Sequence, residues 1–89
     1  MQERRVTIHN PSGLHARPAA LLVQTAGKFV SEVQIEKEGK SVDAKSVLGV
    51  MSLAIAQGTG VIIRANGADE AEAVTAIAEI IEQGLGESN

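Results

Sequence analysis

The sequence predicts a two-layer α+β domain, a mixed or antiparallel sheet with helices on one face and water on the other. Three observations carry this prediction. Apolar and polar residues alternate at Val6-Thr7-Ile8 and again from Val33 to Glu36, as in half-buried strands. Apolar residues recur at 3.6-residue spacing after residue 70, as on an amphipathic helix. The chain of 89 residues is long enough for one compact domain, residues 1–89, and a second is not expected.

Taken in order, the first strand centres on Val6-Thr7-Ile8 and ends at the turn-forming cluster Asn10-Pro11-Ser12-Gly13. Leu14 to Ala26 is rich in Ala and Leu and predicts a helix of about three turns starting near His15. Pro18 is then tolerated in its first turn and Gly27 marks its end. Val33 and Ile35, the turn Lys37-Glu38-Gly39-Lys40, and Val42 with Ala44 read as a hairpin. Ser46 offers an N-cap to a short helix containing Val47, Leu48 and Met51, which Gly58-Thr59-Gly60 terminates. Val61-Ile62-Ile63-Arg64-Ala65 has the β-branched content of a central strand, closed by Asn66-Gly67. Asp69 with Glu72 forms a variant capping box for a last helix whose apolar stripe is Val74, Ile77, Ala78, Ile81 and Leu85. The end from Gly84 to Asn89 is expected to fray. The element order is β-α-β-β-α-β-α.

Composition excludes several functions. The chain is 44% apolar, but 13 of its residues are Ala and Phe29 is its one aromatic. Without aromatic platforms, and at a net charge of -3, direct nucleic-acid binding is disfavoured. The lack of Cys removes disulfides, thiolate-bound zinc and a Cys nucleophile. No signal-type segment and no long apolar run is present, so a cytoplasmic location away from membranes is expected. Residues 1–45 carry seven Lys/Arg against five Asp/Glu, and 46–89 one against six. The first half is therefore suited to approaching acidic protein surfaces, unless the imbalance is simply a solvated final helix.

Chemistry concentrates at Gly13-Leu14-His15-Ala16-Arg17-Pro18. A helix starting at His15 or Ala16 leaves N–H groups without intrahelical partners and partial positive charge at its end, which suits an anion. Gly13 allows a tight entry, Pro18 gives up an N–H that would be unused, and Arg17 adds a fixed cation. His15 is the cluster's nucleophile, and positive surroundings favour its neutral, attacking form. A phosphorylated His15 that passes the group on fits this arrangement, against the plainer role of a capping His. A carrier must also hold phosphate only moderately, because tight ground-state binding slows transfer. His9 is read as a surface strand residue, and with so few ligands no metal site or cofactor is expected. Ser46 is either a plain N-cap or a regulated site. Val47, Leu48 and Met51 are either core or exposed for a partner.

Ser12-Gly13-Leu14-His15-Ala16-Arg17-Pro18-Ala19, followed by Gly39-Lys40, Lys45-Ser46, Gly49-Val50-Met51-Ser52-Leu53 and Gly67-Ala68-Asp69-Glu70, resembles the histidine-containing phosphocarrier family HPr of the bacterial sugar phosphotransferase system, Gram-positive type. The match runs through nearly the whole chain. It implies an open-faced β-sandwich with antiparallel strand order 1-4-2-3 and three helices on one side. It also implies a phosphoryl carrier rather than an enzyme. Enzyme I, charged by phosphoenolpyruvate, would phosphorylate His15 on Nδ1, and IIA domains of sugar permeases would take the group. Arg17 and the backbone N–H groups of Ala16 and Arg17 would be the phosphate's partners. By the same resemblance, HPr kinase/phosphorylase would modify Ser46. Val47, Leu48, Met51, Ala20 and Gln24 would form the docking surface, and the Ser46-phosphorylated form would bind a catabolite control repressor. The alternative within the family is a mainly regulatory protein acting through Ser46. The sequence departs from the family at Ala54, where Gly is common, and in having no Tyr in its strands.

Overall fold

Alternation builds the sheet. In the strand β2 (Glu32–Lys37), Val33 and Ile35 are buried while Glu32 and Gln34 face water, and β4 (Gly60–Asn66) buries Val61, Ile63 and Ala65 in the same way. The computed structural model describes residues 1–87. With β1 (Gln2–Thr7) and β3 (Lys40–Asp43), these strands form one antiparallel sheet in the order β1-β4-β2-β3. Val6 faces Val61 in the β1–β4 pair, and Ile35 faces Ile63 in the β2–β4 pair. The β-branched segment is thus a central strand, as its composition predicts. The fold is the expected open-faced sandwich, with helices α1 (Ala16–Ala26), α2 (Val47–Ser52) and α3 (Glu70–Glu82) on one face.

The helices cover the inner face with small and branched side chains. Ala19, Leu22 and Ala26 of α1 and Ala73, Ile77, Ala78 and Ile81 of α3 are fully buried. Each Ile or Leu removed from water in this layer contributes about 1.5–3 kcal/mol, while the Ala residues let the helices sit close to one another and to the sheet. Phe29 is only partly buried and packs at the edge of this core. On the open face, Arg64 of β4 pairs with Glu36 of β2 and with Glu3 of β1, which ties three strands together.

Four local expectations change, the first being that α2 ends at Ser52 with Leu53 as its C-cap, well before Gly58-Thr59-Gly60. The end of the chain does not fray over Gly84–Glu87. Leu85 lies beyond α3 but is buried, and the Glu87 carboxylate bonds to Asn10 and Ser12. Ser88 and Asn89 lie outside the described residues. The capping box is absent: Asp69 occupies the N-cap position of α3 without a side-chain cap bond, and Glu70 rather than Glu72 reaches back, its Oε1 accepting from Gly67 N–H at 3.2 Å. Asp69 is drawn across to the loop after α1. Its carboxylate accepts from the Ser31 hydroxyl at 2.5 Å and from the N–H groups of Val30 and Ser31, both at 3.0 Å. His9 falls past the end of β1, where its Nε2 lies 2.8 Å from the carbonyl of Glu82. Gly27 is the C-cap of α1, as expected, in ordinary right-handed geometry.

The Asp69–Ser31 strap is reinforced by Gly67, whose φ is +153° and whose missing Cβ would stand 2.7 Å from Ser31 Cα. Gly67→Ala is expected to cost roughly 2 kcal/mol or more by forcing backbone apart, seen as a lowered denaturation midpoint. The Asp69 carboxyl is held below its usual range, chiefly by the Ser31 hydroxyl and then by the Val30 and Ser31 N–H groups. Its contribution to stability is complete above the unfolded value near ~4 and is lost as pH falls through the lower folded value. Asp69→Asn should therefore lower Tm by several degrees at pH 7 and flatten the loss of stability below about pH 4, measured by thermal melts across pH.

Candidate functional site

The loop into α1 is shaped by backbone constraints. Gly13 has φ +61°, and a Cβ there would meet the Ile55 carbonyl oxygen at 2.4 Å, so only glycine permits this close approach. Leu14 N–H then donates to that same carbonyl at 2.9 Å, and Leu14 is buried. This pins the chain on one side of the next residue. His15 becomes the N-cap of α1 with extended backbone, and its carbonyl accepts from Ala19 N–H at 2.8 Å.

The His15 side chain makes no cap hydrogen bond and is exposed. The plainer reading, a histidine whose ring satisfies the helix start, does not describe it. In this first turn Pro18 has no N–H and Ala19 N–H is already paired, which leaves Ala16 and Arg17 N–H as open donors, with no protein partner among the described residues. There is no acidic residue in the turn. Arg17 is exposed and makes no salt bridge among the described residues. An exposed imidazole and two open backbone donors thus stand at the positive end of a helix dipole, in a turn that also carries the Arg17 cation. An anion formed on His15 would be stabilised there without being enclosed.

The expected docking residues fall on the surfaces beside it. Along α1, Pro18, Ala19, Leu22, Thr25 and Ala26 turn inward, leaving Arg17, Ala20 and Gln24 along the outer side, with Ala20 half-buried and Gln24 exposed. In α2, Val50 is fully buried, whereas Val47, Leu48 and Met51 are 36%, 83% and 37% exposed. The two alternatives for this helix are thereby separated: Val50 serves the core and the other three face solvent. A shallow cleft lined by Leu14, His15, Met51, Ala54, Ile55 and Ala56 connects His15 with the end of α2. Ala54 adopts φ +51° in this cleft, a left-handed conformation that explains why glycine suits the position.

Ser46 lies at the opposite end of α2. It is the N-cap, with Oγ accepting from Gly49 N–H at 3.0 Å, and Asp43 Oδ1 accepts from Lys45 N–H at 2.9 Å just before it. At the helix's other end Lys37 Nζ donates to the carbonyls of Leu53 and Ala54 at 3.0 and 3.1 Å, so a cation answers the negative end of the dipole. Lys37, like Glu87, could not be assigned to this region from the sequence. Its partners lie 16 and 17 positions away, and no local pattern encodes such a contact. Among the described residues no group of three or more His, Cys, Asp or Glu is placed to hold a metal, and no helix is long and apolar enough to cross a membrane.

The family model described as the PTS HPr component phosphorylation site matches residues 2–83. The fold is similar to HPr-C-His from Thermoanaerobacter tengcongensis, at 50% identity over 100% of both chains with a TM-score of 0.97. It is also similar to the phosphocarrier protein HPr of Bacillus anthracis, at 47% identity over 88% of this chain and 93% of that one, TM-score 0.85. A third similar structure is the catabolite repression protein Crh of Bacillus subtilis, at 47% identity over 93% of this chain and 95% of that one, TM-score 0.76. With the strand order, the three helices on one face and the match over residues 2–83, these similarities place the chain in the HPr family of phosphocarrier components of the phosphotransferase system.

Proposed function

We propose that His15 is the phosphoryl acceptor and donor of this chain, charged by phosphorylated enzyme I and discharged to IIA domains of sugar permeases. The observation that carries this reading is an exposed imidazole at a helix N-cap, free of any cap bond and flanked by the open N–H groups of Ala16 and Arg17. The neutral ring's Nδ1 lone pair attacks phosphorus. The new N–P bond forms as the bond from phosphorus to the donor's imidazole breaks, and the electron pair leaves with that ring. The Ala16 and Arg17 N–H groups and the Arg17 guanidinium stabilise charge on the transferred oxygens. Exposure of the site keeps the phosphorylated ground state only moderately bound, so that the reverse displacement by a IIA nucleophile stays accessible.

Val47, Leu48 and Met51, with Ala20 and Gln24, form the surface on which those proteins dock beside His15. Ser46 is the regulatory phosphorylation site for HPr kinase/phosphorylase. A phosphate there is received by the N-terminus of α2, while its charge opposes acidic partners approaching the same patch. The Ser46-phosphorylated form then binds a catabolite control repressor. A cytoplasmic location, no cofactor and the absence of catalysis on small molecules accord with this role. Similarity to Crh favours a second reading, in which the chain is mainly regulatory and acts through Ser46. Unaffected growth on transported sugars in His15→Ala, with altered regulation in Ser46→Ala, would select it.

On incubation with phosphoenolpyruvate and enzyme I, the chain should acquire one acid-labile, alkali-stable phosphate that is absent in His15→Ala. A wild-type chain that takes no label overturns the carrier reading. Arg17→Ala should keep its melting temperature, because an exposed cation contributes little to folding, and should slow transfer roughly 10-fold or more in single-turnover kinetics. Ser46→Asp should weaken enzyme I binding in calorimetry and add about 0.3–1 kcal/mol of stability through the α2 dipole. Unchanged affinity would separate Ser46 from the docking surface.

A further inference from the structure

The segment that leads into His15 is anchored on one side by the Ile55 carbonyl. Its other anchor comes from the far end of the chain. Glu87 Oε1 accepts from Asn10 Nδ2 at 2.8 Å and from Ser12 N–H at 3.2 Å, and its Oε2 accepts from the Ser12 hydroxyl at 2.6 Å. Asn10 is fully buried, and its Nδ2 also donates to the Gly13 carbonyl at 2.8 Å, while Gly13 N–H returns a bond to the Asn10 carbonyl at 3.1 Å. The turn thus closes on itself through Asn10 and is tied to the tail through Glu87. The tail is itself fixed, with Leu85 buried and Glu87 N–H donating to the Gly84 carbonyl at 3.0 Å.

A carboxylate bonded three residues before a phosphate acceptor is electrostatically costly, since it repels the incoming anion. Its presence needs a compensating role. Its three donors all belong to the loop, and together they fix that loop's backbone (Ser12 N–H), side chain (Ser12 hydroxyl) and buried amide (Asn10). The Glu87 carboxyl is also held below its usual range, by the Asn10 amide first and then by Ser12, with Arg17 adding attraction, so the anchor remains ionised at neutral pH.

We propose that Glu87 is a positioning residue for phosphoryl transfer: by fixing the loop from Asn10 to Gly13 it sets where the His15 imidazole stands relative to the open N–H groups of Ala16 and Arg17. The inference rests on His15 being the acceptor. Phosphoryl transfer depends on placement of the nucleophile against fixed donors, and a displacement of about 1 Å can cost up to ~100-fold in rate. Glu87 touches none of the reacting atoms and acts through Ser12 and Asn10.

The test is single-turnover transfer from phosphorylated enzyme I to the full chain, in wild type, Glu87→Ala and Glu87→Gln. In Glu87→Ala the maximal transfer rate should fall by about 10-fold. The half-saturating concentration should stay unchanged, because the exposed residues of α2 are untouched. Glu87→Gln keeps the side-chain length and one acceptor oxygen, and should recover part of the rate. The backbone amide resonance of Ser12 should move in both variants. Ser12→Ala combined with Glu87→Ala should be little slower than Glu87→Ala alone, because the two act as a unit. An unchanged maximal rate in Glu87→Ala despite a displaced Ser12 resonance overturns the positioning role, as does a loss of rate that merely follows the unfolded fraction in thermal melts. If wild type itself takes no phosphate, the failure belongs to the reading of His15.

Discussion

Burial of one face of a four-stranded sheet under closely packed helices is the constraint on which the rest of this protein depends. With a single aromatic residue available, the core cannot be filled by a few large side chains. It is built instead from Ile, Val and Leu on the strands, opposed by helices whose inward positions alternate Ala with larger residues, such as Ala19 with Leu22 and Ala78 with Ile77 and Ile81. Small residues bring the helices near, and near helices leave little room for error in the loops that deliver them. The loops are accordingly anchored by polar contacts of long sequence separation, Asp69 to Ser31 and Glu87 to Ser12.

This architecture places the candidate site at a helix end. A helix packed on a sheet must begin somewhere at the rim, and its first N–H groups have no partners within it. In α3 that end has acidic Glu70 and Glu72 in its first turn. In α2 it is occupied by the Ser46 hydroxyl. In α1 it is left open, because the capping position is held by a histidine whose ring makes no cap bond and Pro18 removes one donor. The same backbone geometry is therefore capped by a side chain in one helix and left open in another, and the difference is made by one residue.

The arrangement of α2 gives the molecule two chemically different ends joined by an apolar surface. Ser46 stands at its start, and Met51 shares a cleft with His15 near its finish. Leu48 projects almost fully into solvent between them, at 83% exposure. A short helix with only Val50 buried is also fastened at its ends, by the Ser46 cap and by the Lys37 ammonium on the carbonyls of Leu53 and Ala54 just past it. A negative charge added at Ser46 would therefore act on the same small element that carries the exposed Leu48 and Met51.

The sequence by itself determined the order of elements, the inward residues of the strands and of α3, and the identity of the His15 cluster. These rest on periodicity, turn chemistry and spacing within a few residues, all of which are local. The position of Ser46 as an N-cap was legible for the same reason. Only the tertiary structure decided that Val47, Leu48 and Met51 face outward, since a six-residue helix is too short for periodicity to separate its faces. It also decided that Asp69 leaves its own helix for Ser31, because a partner 38 residues away offers three donors where the local cap offers fewer. The order of the tail over Gly84–Glu87 has a similar origin. Its terminal position suggests fraying, yet Leu85 is buried and Glu87 has three donors in a loop more than 70 positions earlier. Such contacts depend on which segments the packed sheet and helices bring side by side, and no local pattern in the chain encodes that proximity.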